Sequence, residues 1–320
     1  MKKLLLTGAS GLLGWNICKA ARHQWAVHGI ICSAAFDIPG VTLHRLNLTD
    51  THVFKKRFTE IQPDAVLHTA AITDTNYCQQ HPHESYSINV TAAALLAELC
   101  AERKIPFVFT SSDLVFDGKK GNYSEADEPN PVSRYGAQKA EAENRVLKIY
   151  PQAAVCRMPL MIGDGGMGGK GYLHLFLTKA KNGEPLKLFT DEYRSPLGGM
   201  SAAKGLLLAL QKFNGIWHLG GRERLSRFQL GEKIAEAFGI PFSQLVPAKQ
   251  SEMLMPAPRP ADVSLDSGKA YHNGFCPEVI GSELRAMVKL QTLGLPFQWE
   301  RDGGEATPDT PQNSAPSHTA

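Results

Sequence analysis

The sequence lacks the marks of several large protein classes. No window approaches the roughly 18 consecutive apolar residues that cross a bilayer, so a membrane-spanning protein is not expected. No long basic run occurs, no helix alternates arginine with aromatic residues, and 34 Lys+Arg against 31 Asp+Glu leave a net charge of only +3. Nothing is laid out to follow a phosphate backbone, and nucleic acid is not expected as a partner. The six cysteines, Cys18, Cys32, Cys78, Cys100, Cys156 and Cys276, are scattered without a C-x-x-C pair. That pattern fits reduced core thiols in a cytoplasmic protein better than a disulfide framework. His81-Pro82-His83, with His68 nearby in sequence, has no acidic or thiolate set converging on it, so no metal site is expected.

What is present is core-forming material. The chain has 320 residues, 43% of them hydrophobic, enough for one large core or two modest ones, which excludes a disordered or fibrous protein. Met1-Lys2-Lys3-Leu4-Leu5-Leu6 starts like a signal peptide, but Gly8, Gly11 and Gly14 break the apolar run at once, and it reads as a buried first strand. Residues 301–320, rich in Gly, Pro, Ser, Thr and acids and without a large apolar side chain, are expected to stay disordered.

Short apolar runs alternate with amphipathic stretches through the first half, the pattern of parallel strands crossed by helices. Strands are expected over 3–7, 26–32, 41–46, 65–69, 106–110 and 153–157, and helices over 12–22, 51–60, 82–103 and 133–150. Joined by right-handed crossovers, such units build a doubly wound sheet whose ligands sit at the carboxyl ends of the strands. After Arg157 the texture changes: 163–171 is glycine-rich and reads as a lid or as an inter-domain connector, and prolines punctuate the rest of the second half. Helices at 201–213 and 226–238, with an apolar strand at 215–219, remain legible there.

Thr7-Gly8-Ala9-Ser10-Gly11-Leu12-Leu13-Gly14 follows the first strand and opens the first helix. One glycine makes the turn, one admits a pyrophosphate to the backbone, and one lets helix and strand pack closely, while the helix N-terminus offers N–H donors to the anion. An acid closing the second strand would grip the adenosine ribose and favour NAD. Here that strand runs Ile31-Cys32-Ser33-Ala34 with no acid until Asp37, so NADP is preferred over NAD, although no arginine clamp for a 2′-phosphate is evident.

Tyr135 and Lys139, four residues apart on a predicted helix, share one face. An ammonium beside a phenol lowers its pKa and makes a usable proton donor or acceptor near neutral pH. Upstream, the fifth strand closes on Thr110-Ser111-Ser112-Asp113, where a serine can hydrogen-bond a carbonyl that the tyrosine protonates. Ser111 reads equally as a helix cap or turn former.

With these residues the chain resembles the extended short-chain dehydrogenase/reductase family, through T-G-x-x-G-x-x-G at 7–14, the serine at 112 and Y-x-x-x-K at 135–139. Further segments are similar to its dTDP-4-dehydrorhamnose reductase branch: Ser112-Asp113-Leu114-Val115-Phe116-Asp117-Gly118, Arg134-Tyr135-Gly136, Tyr193-Arg194-Ser195-Pro196, and Arg259-Pro260 leading to Leu265-Asp266. The resemblance spans residue 1 to about 295. It implies a Rossmann-like α/β fold, a doubly wound parallel sheet with a second, smaller α/β substrate domain. The dinucleotide-binding domain would cover 1–157, with about 200–220 returning to it, and 158–300 would mainly bind substrate.

Carried over position by position, the resemblance implies Ser112, Tyr135 and Lys139 as the catalytic set. Cofactor contacts would come from Gly8, Ser10, Gly11, Leu12, Leu13 and Gly14, from Asn47 and Leu48 against the adenine, from Thr69 and Ala70, and from Asn89. Asn47 and Leu48 read alternatively as an ordinary strand-end cap. Asp113 and Arg194 would face the substrate; Arg194, with Asp191 and Glu192 ahead of it, could hold a diphosphate or form an ion pair within a solvated loop.

The implied activity is reduction of a keto group on a nucleotide sugar by NADPH or NADH, in a cytoplasmic enzyme that could pair as a homodimer. The branch usually carries tyrosine where this chain has Leu114 and an aromatic where it has Leu160, which removes polar and stacking surface from the expected sugar pocket. The same regions are similar to the regulatory beta subunit of methionine adenosyltransferase. A non-catalytic NADP-binding regulator, and a reductase or epimerase of a substrate other than a nucleotide sugar, are therefore the competing readings.

Overall fold

Alternation along the first strand decides the layering. In β1 (Lys2–Thr7), Leu4 and Leu6 join one buried cluster and Leu5 another, as the two-residue period of a strand between two helical layers requires. The computed structural model describes residues 1–32, 37–166 and 171–292. The tail expected at 301–320 lies outside them, as do 33–36, 167–170 and 293–300.

β1 is followed by α1 (Leu12–Ala21), β2 (Trp25–Ile31), β3 (Val41–Arg45), α2 (Thr51–Ile61), β4 (Ala65–His68), α3 (Thr75–Gln80) and α4 (Pro82–Tyr86). A π-helical turn at Ser87–Thr91 leads into α5 (Ala92–Arg103), and then come β5 (Phe107–Ser112), α6 (Arg134–Ile149) and β6 (Ala154–Met158). The remaining elements are β7 (Met161–Ile162), α7 (Tyr172–Lys181), β8 (Leu186–Phe189), β9 (Tyr193–Arg194), β10 (Leu197–Gly198), α8 (Gly199–Lys212), β11 (Gly215–His218), β12 (Leu225–Ser226), α9 (Arg227–Phe238), β13 (Leu245–Ala248), α10 (Gly268–His272) and α11 (Ile280–Thr292).

Seven strands form one wholly parallel sheet in the order β11-β6-β5-β4-β1-β2-β3. The fold is a doubly wound, Rossmann-like α/β fold. The strand order reverses beside β1, whose neighbours are β2 and β4, and that crevice is where such sheets bind ligands. One face is covered through Ile17, Ala202, Leu206 and Ala209 of α1 and α8, the other through Phe54, Phe58, Leu96 and Val146 of α2, α5 and α6. The late segment around 200–218 thus packs on the first half: α8 lies against α1, and β11 extends the main sheet beside β6.

A third cluster, including Phe176, Leu188, Leu230, Ile234 and Leu284, gathers α7, α9 and α11 around the two-stranded pair β8 and β13. Local chemistry sets the helix starts. Ser133 Oγ accepts the Gly136 N–H at 3.2 Å ahead of α6, and Ser226 and Gln229 form a reciprocal capping box at α9. The helix expected as one piece over 82–103 is divided by the π turn, which places Ile88 and Asn89 on the switch-point side.

All six cysteines are free. Cys18, Cys78, Cys100 and Cys156 are buried as expected of core thiols, whereas Cys32 and Cys276 are exposed. No helix among the described residues is long and apolar enough to cross a membrane.

Candidate active site

The carboxyl ends of β1, β2, β4 and β5 open into a cavity of about 470 Å³. Its floor is the turn from β1 into α1, lined by Gly8, Ser10, Gly11, Leu12, Leu13 and Gly14. A side chain at Gly14 would put its Cβ 2.1 Å from the Gly8 carbonyl oxygen, so α1 can start this close to the strand only because that position is glycine. No side chain caps α1 and no acid occupies its first turn. Its first N–H groups therefore keep their capacity for an anion.

Cys32 of the β2 end, Asn47 and Leu48 after β3, and Thr69 and Ala70 after β4 also line the cavity. Asn47 does local work as well, since its Oδ1 accepts the Thr49 N–H at 3.0 Å. Among the described residues no carboxylate lines the cavity, and Lys139 is the charged side chain there.

Asn89 is placed differently. It is 1% exposed and turned away from the lining, with Oδ1 accepting the Ile72 N–H at 2.9 Å and Nδ2 donating to the Ile72 carbonyl at 3.0 Å and to Gln138 Oε1 at 2.9 Å. It clamps the 70–73 strand-end loop that forms one wall and ties that loop to α6.

Tyr135 and Lys139 both reach the cavity from α6, as their four-residue spacing predicts. Gly136 permits this: a Cβ there would lie 2.1 Å from the Leu114 carbonyl oxygen, so α6 presses directly on the turn after β5. Burial holds the Tyr135 phenol well above its ordinary range; negative charge at Asp113 adds to this, and a hydrogen bond from Ser112 opposes it. The direction is opposite to the lysine-lowered phenol expected from spacing alone, because desolvation dominates. Burial likewise pulls Lys139 down to about 7, against the attraction of Glu143 four residues on. Its Nζ stands 4.2 Å from the Phe109 ring centre.

The two serines have different surroundings. Ser112 forms the local cap, accepting the Leu114 N–H at 3.2 Å, and its hydroxyl donates to Asp113 Oδ1 at 3.0 Å. Ser111 lines the cavity, 5% exposed, and its Oγ has no hydrogen-bond partner among the described residues. Asp113 and Arg194 meet each other instead of lining the cavity. They are 3% and 5% exposed, with Arg194 Nε 3.7 Å from Asp113 Oδ2 and Arg194 Nη2 3.1 Å from Glu192 Oε1. Of the two readings of this loop, the internal ion pair is present but buried rather than solvated, and Arg227 joins it at 3.4 Å from Glu192.

Leu114 and Leu160 both pack against apolar clusters. Of the glycine-rich 163–171, residues 167–170 fall outside the described set; ahead of them Asp164 binds α1, accepting from Trp15 Nε1 at 3.1 Å and Lys19 Nζ at 3.2 Å. Among the described residues no three His, Cys, Asp or Glu side chains gather in a metal-ligating group.

Residues 1–292 match the RmlD substrate binding domain family. The chain belongs to that family. The probable low-salt glycan biosynthesis reductase Agl14 of Haloferax volcanii is 32% identical over 270 residues, 82% of this chain and 88% of its own. The methionine adenosyltransferase 2 subunit beta of Danio rerio is 27% identical over 285 residues, 87% and 86% of the two chains.

Among solved structures, a hypothetical dTDP-4-dehydrorhamnose reductase from Sulfolobus tokodaii superposes with a TM-score of 0.76 at 30% identity, covering 85% of this chain and 94% of that one. A dTDP-4-dehydrorhamnose reductase from Bacillus anthracis in complex with NADP has the same fold, with a TM-score of 0.80 at 21% identity, covering 91% of this chain and 100% of that one. The glycine turn and the Tyr135/Lys139 pair of this RmlD-family chain are legible in its sequence. Of the Asp113–Arg194–Glu192 network, the Glu192–Arg194 ion pair is legible in the short 191–194 segment, whereas Asp113 lies far from it along the chain with no local pattern to join them.

Proposed function

We propose that the chain is an NADPH-dependent reductase of a keto group on a nucleotide sugar. The observation that carries this reading is that a glycine turn fitted for a pyrophosphate and the Tyr135/Lys139 pair open into one cavity. The donor set fits a dinucleotide. The α1 start is uncapped, the walls after β3 and β4 are apolar or neutral, and the unpartnered Ser111 hydroxyl offers a hydrogen bond inside the cavity. Among the described residues no carboxylate lines the cavity at the β2 end, which favours NADP over NAD, since no negative charge would repel a 2′-phosphate.

When bound, the nicotinamide supplies hydride to the carbonyl carbon. In this reading Tyr135 gives its phenolic proton to the carbonyl oxygen as the C–H bond forms, which suits a phenol that burial keeps protonated. Lys139, close to neutral pH in its titration, steadies the phenolate left behind and reaches toward the ribose. Ser112 polarises the carbonyl, and the segments around β9 and α9 take the sugar-nucleotide side, so that 158–292 is mainly the substrate part and the 200–220 region belongs with the nucleotide part. The names of Agl14 and of the Sulfolobus tokodaii protein support the reductase class.

The test is oxidation of NADPH and NADH by the purified protein against dTDP-, UDP- and GDP-4-keto sugars, with cofactor affinity measured alongside. Tyr135→Phe is expected to lower turnover about 10²–10⁴-fold while leaving NADPH affinity intact. Full activity in that variant overturns the assignment. The similarity to a methionine adenosyltransferase beta subunit supports a second reading, a non-catalytic NADP-binding subunit. Tight NADPH binding with no oxidation across the whole panel would favour it.

A further inference from the structure

The Ser112 hydroxyl has one hydrogen and two lone pairs. The Leu114 N–H occupies one lone pair at 3.2 Å, and the hydrogen lies toward Asp113 Oδ1 at 3.0 Å. Tyr135 lies close enough to this hydroxyl for it to oppose the rise of the phenol. One hydrogen thus has two claimants, and a carboxylate is a stronger acceptor than a ketone. While Asp113 is ionised, Ser112 has no hydrogen for a substrate carbonyl.

The surroundings leave Asp113 easy to protonate. Its Oδ2 has no hydrogen-bond partner among the described residues, and Arg194 Nε stands off at 3.7 Å. Arg194 spends its closer contacts on Glu192 at 3.1 Å and on the Tyr193 carbonyl at 2.7 Å. The charged and titratable groups facing Asp113 are Arg194 and Glu192 around β9, Arg227 of α9 and Tyr135 of α6. Burial pushes Asp113 up to about 6; Arg194, the Ser112 hydrogen bond and Arg227 pull it down, and Glu192 pushes it up.

We propose that Asp113 is a positioning residue that sets the direction of the Ser112 hydrogen. As a carboxylate it takes that hydrogen. As a carboxylic acid it donates its own proton to Ser112 Oγ and frees the Ser112 hydrogen for the substrate carbonyl. No net proton is consumed by this reorientation, and the proton added to the product still comes from Tyr135. The inference rests on the reductase reading and adds to it a control of carbonyl activation by one buried acid.

Asp113→Asn in the full chain tests it. The carboxamide copies the protonated acid, with Nδ2 toward Ser112 and Oδ1 toward Arg194. With NADPH and a 4-keto nucleotide sugar that the wild type reduces, kcat is measured from pH 5.5 to 8.5. The ratio of variant to wild-type kcat is expected to climb about tenfold per pH unit above 6, with the variant the faster enzyme at pH 8. Any titration of Lys139 common to both proteins cancels in that ratio.

A ratio constant with pH overturns the proposal, because a purely structural role lowers kcat evenly. If Asp113→Asn does not fold, Ser112→Ala serves: the wild-type advantage over it should grow about tenfold per unit as pH falls from 8 toward 6, and a constant advantage overturns the proposal. A wild type inactive on every keto sugar would remove the reductase reading and this inference together.

Discussion

Two buried arginines on the carboxyl side of the sheet have opposite company. Arg157, 1% exposed on β6, is held by Glu143 of α6 through Nε at 3.0 Å and Nη2 at 2.8 Å, with His218 Nε2 3.3 Å from Nη1 and the Phe116 ring 4.9 Å away. Burial drives His218 down to about 4, so it stays neutral, and its Nδ1 bonds the Tyr123 carbonyl at 2.9 Å. None of these three side chains has a buried polar atom without a partner.

Around Arg194 the reverse holds. Asp113 Oδ2, Arg259 Nε and Tyr172 Oη are all buried without a hydrogen-bond partner among the described residues, and Asp113 is held toward its neutral form. A completed network has no hydrogen-bonding capacity left for a ligand and serves to pin α6 to β6 and β11. An incomplete one retains that capacity, at a cost in stability of about 1–3 kcal/mol for each unsatisfied group. The difference separates a part of the polar core whose hydrogen bonds are complete from a part that retains bonding capacity.

The largest effect expected from breaking this contrast is at the completed network. Glu143→Gln leaves the Arg157 guanidinium buried without its counter-charge, and removing one partner of a buried pair costs about 3–5 kcal/mol. A fall in Tm of roughly 10 °C by scanning calorimetry is the expected result. A Tm within about two degrees of the wild type would mean that the pair is not structural.

Lys139→Met probes the other class of group and should move stability the opposite way. The lysine is 2% exposed and its folded pKa is about 7, far below the unfolded value, so the native state binds fewer protons between about 7 and 10.5. Wild-type stability therefore rises with pH across that window, and the penalty of burying the ammonium is greatest below it. The methionine variant should be more stable by about 2 kcal/mol at pH 7, with the gain shrinking toward pH 10, while turnover and NADPH affinity both fall. Denaturant melts at three pH values decide it. A variant less stable than the wild type at pH 7 would show that Lys139 is adequately paired in the fold.

The range of the forces involved explains why some of this is legible in the sequence and the rest is not. The β1 turn, the α6 face and the six first-half strands are written in local periodicity and glycine spacing, which depend on neighbours within a few residues. β7, β9 and β10 are two residues each, too short to show a period, and they exist because tertiary packing places them. The resemblance puts Asn89 near the cofactor, and the structure puts it next to that wall; position carries over, but the direction of its carboxamide depends on Ile72 and Gln138. In sequence Glu143 and Arg157 read only as helix and strand residues, since a pair that closes across a crossover has no local signature.

The smallest effect sharpens the contrast at a single atom. Ser111 sits directly across from Arg157 in the β5–β6 register, so two buried polar residues share one rung, one fully bonded and one not. In the cofactor-free protein the Ser111 hydroxyl is a small liability. Ser111→Ala should therefore leave the Tm of the free protein unchanged or slightly raised. If the hydroxyl is completed by the bound dinucleotide, the same variant should lose about 1 kcal/mol of NADPH binding, near fivefold in Kd by calorimetry. The two measurements pull apart the explanations that a single one would confuse. A serine needed for packing lowers Tm and affinity together, and an unneeded serine changes neither. A serine kept unsatisfied for a ligand changes affinity alone, and only that last outcome places the unpartnered hydroxyl with the Arg194 network, among the polar atoms left open for function.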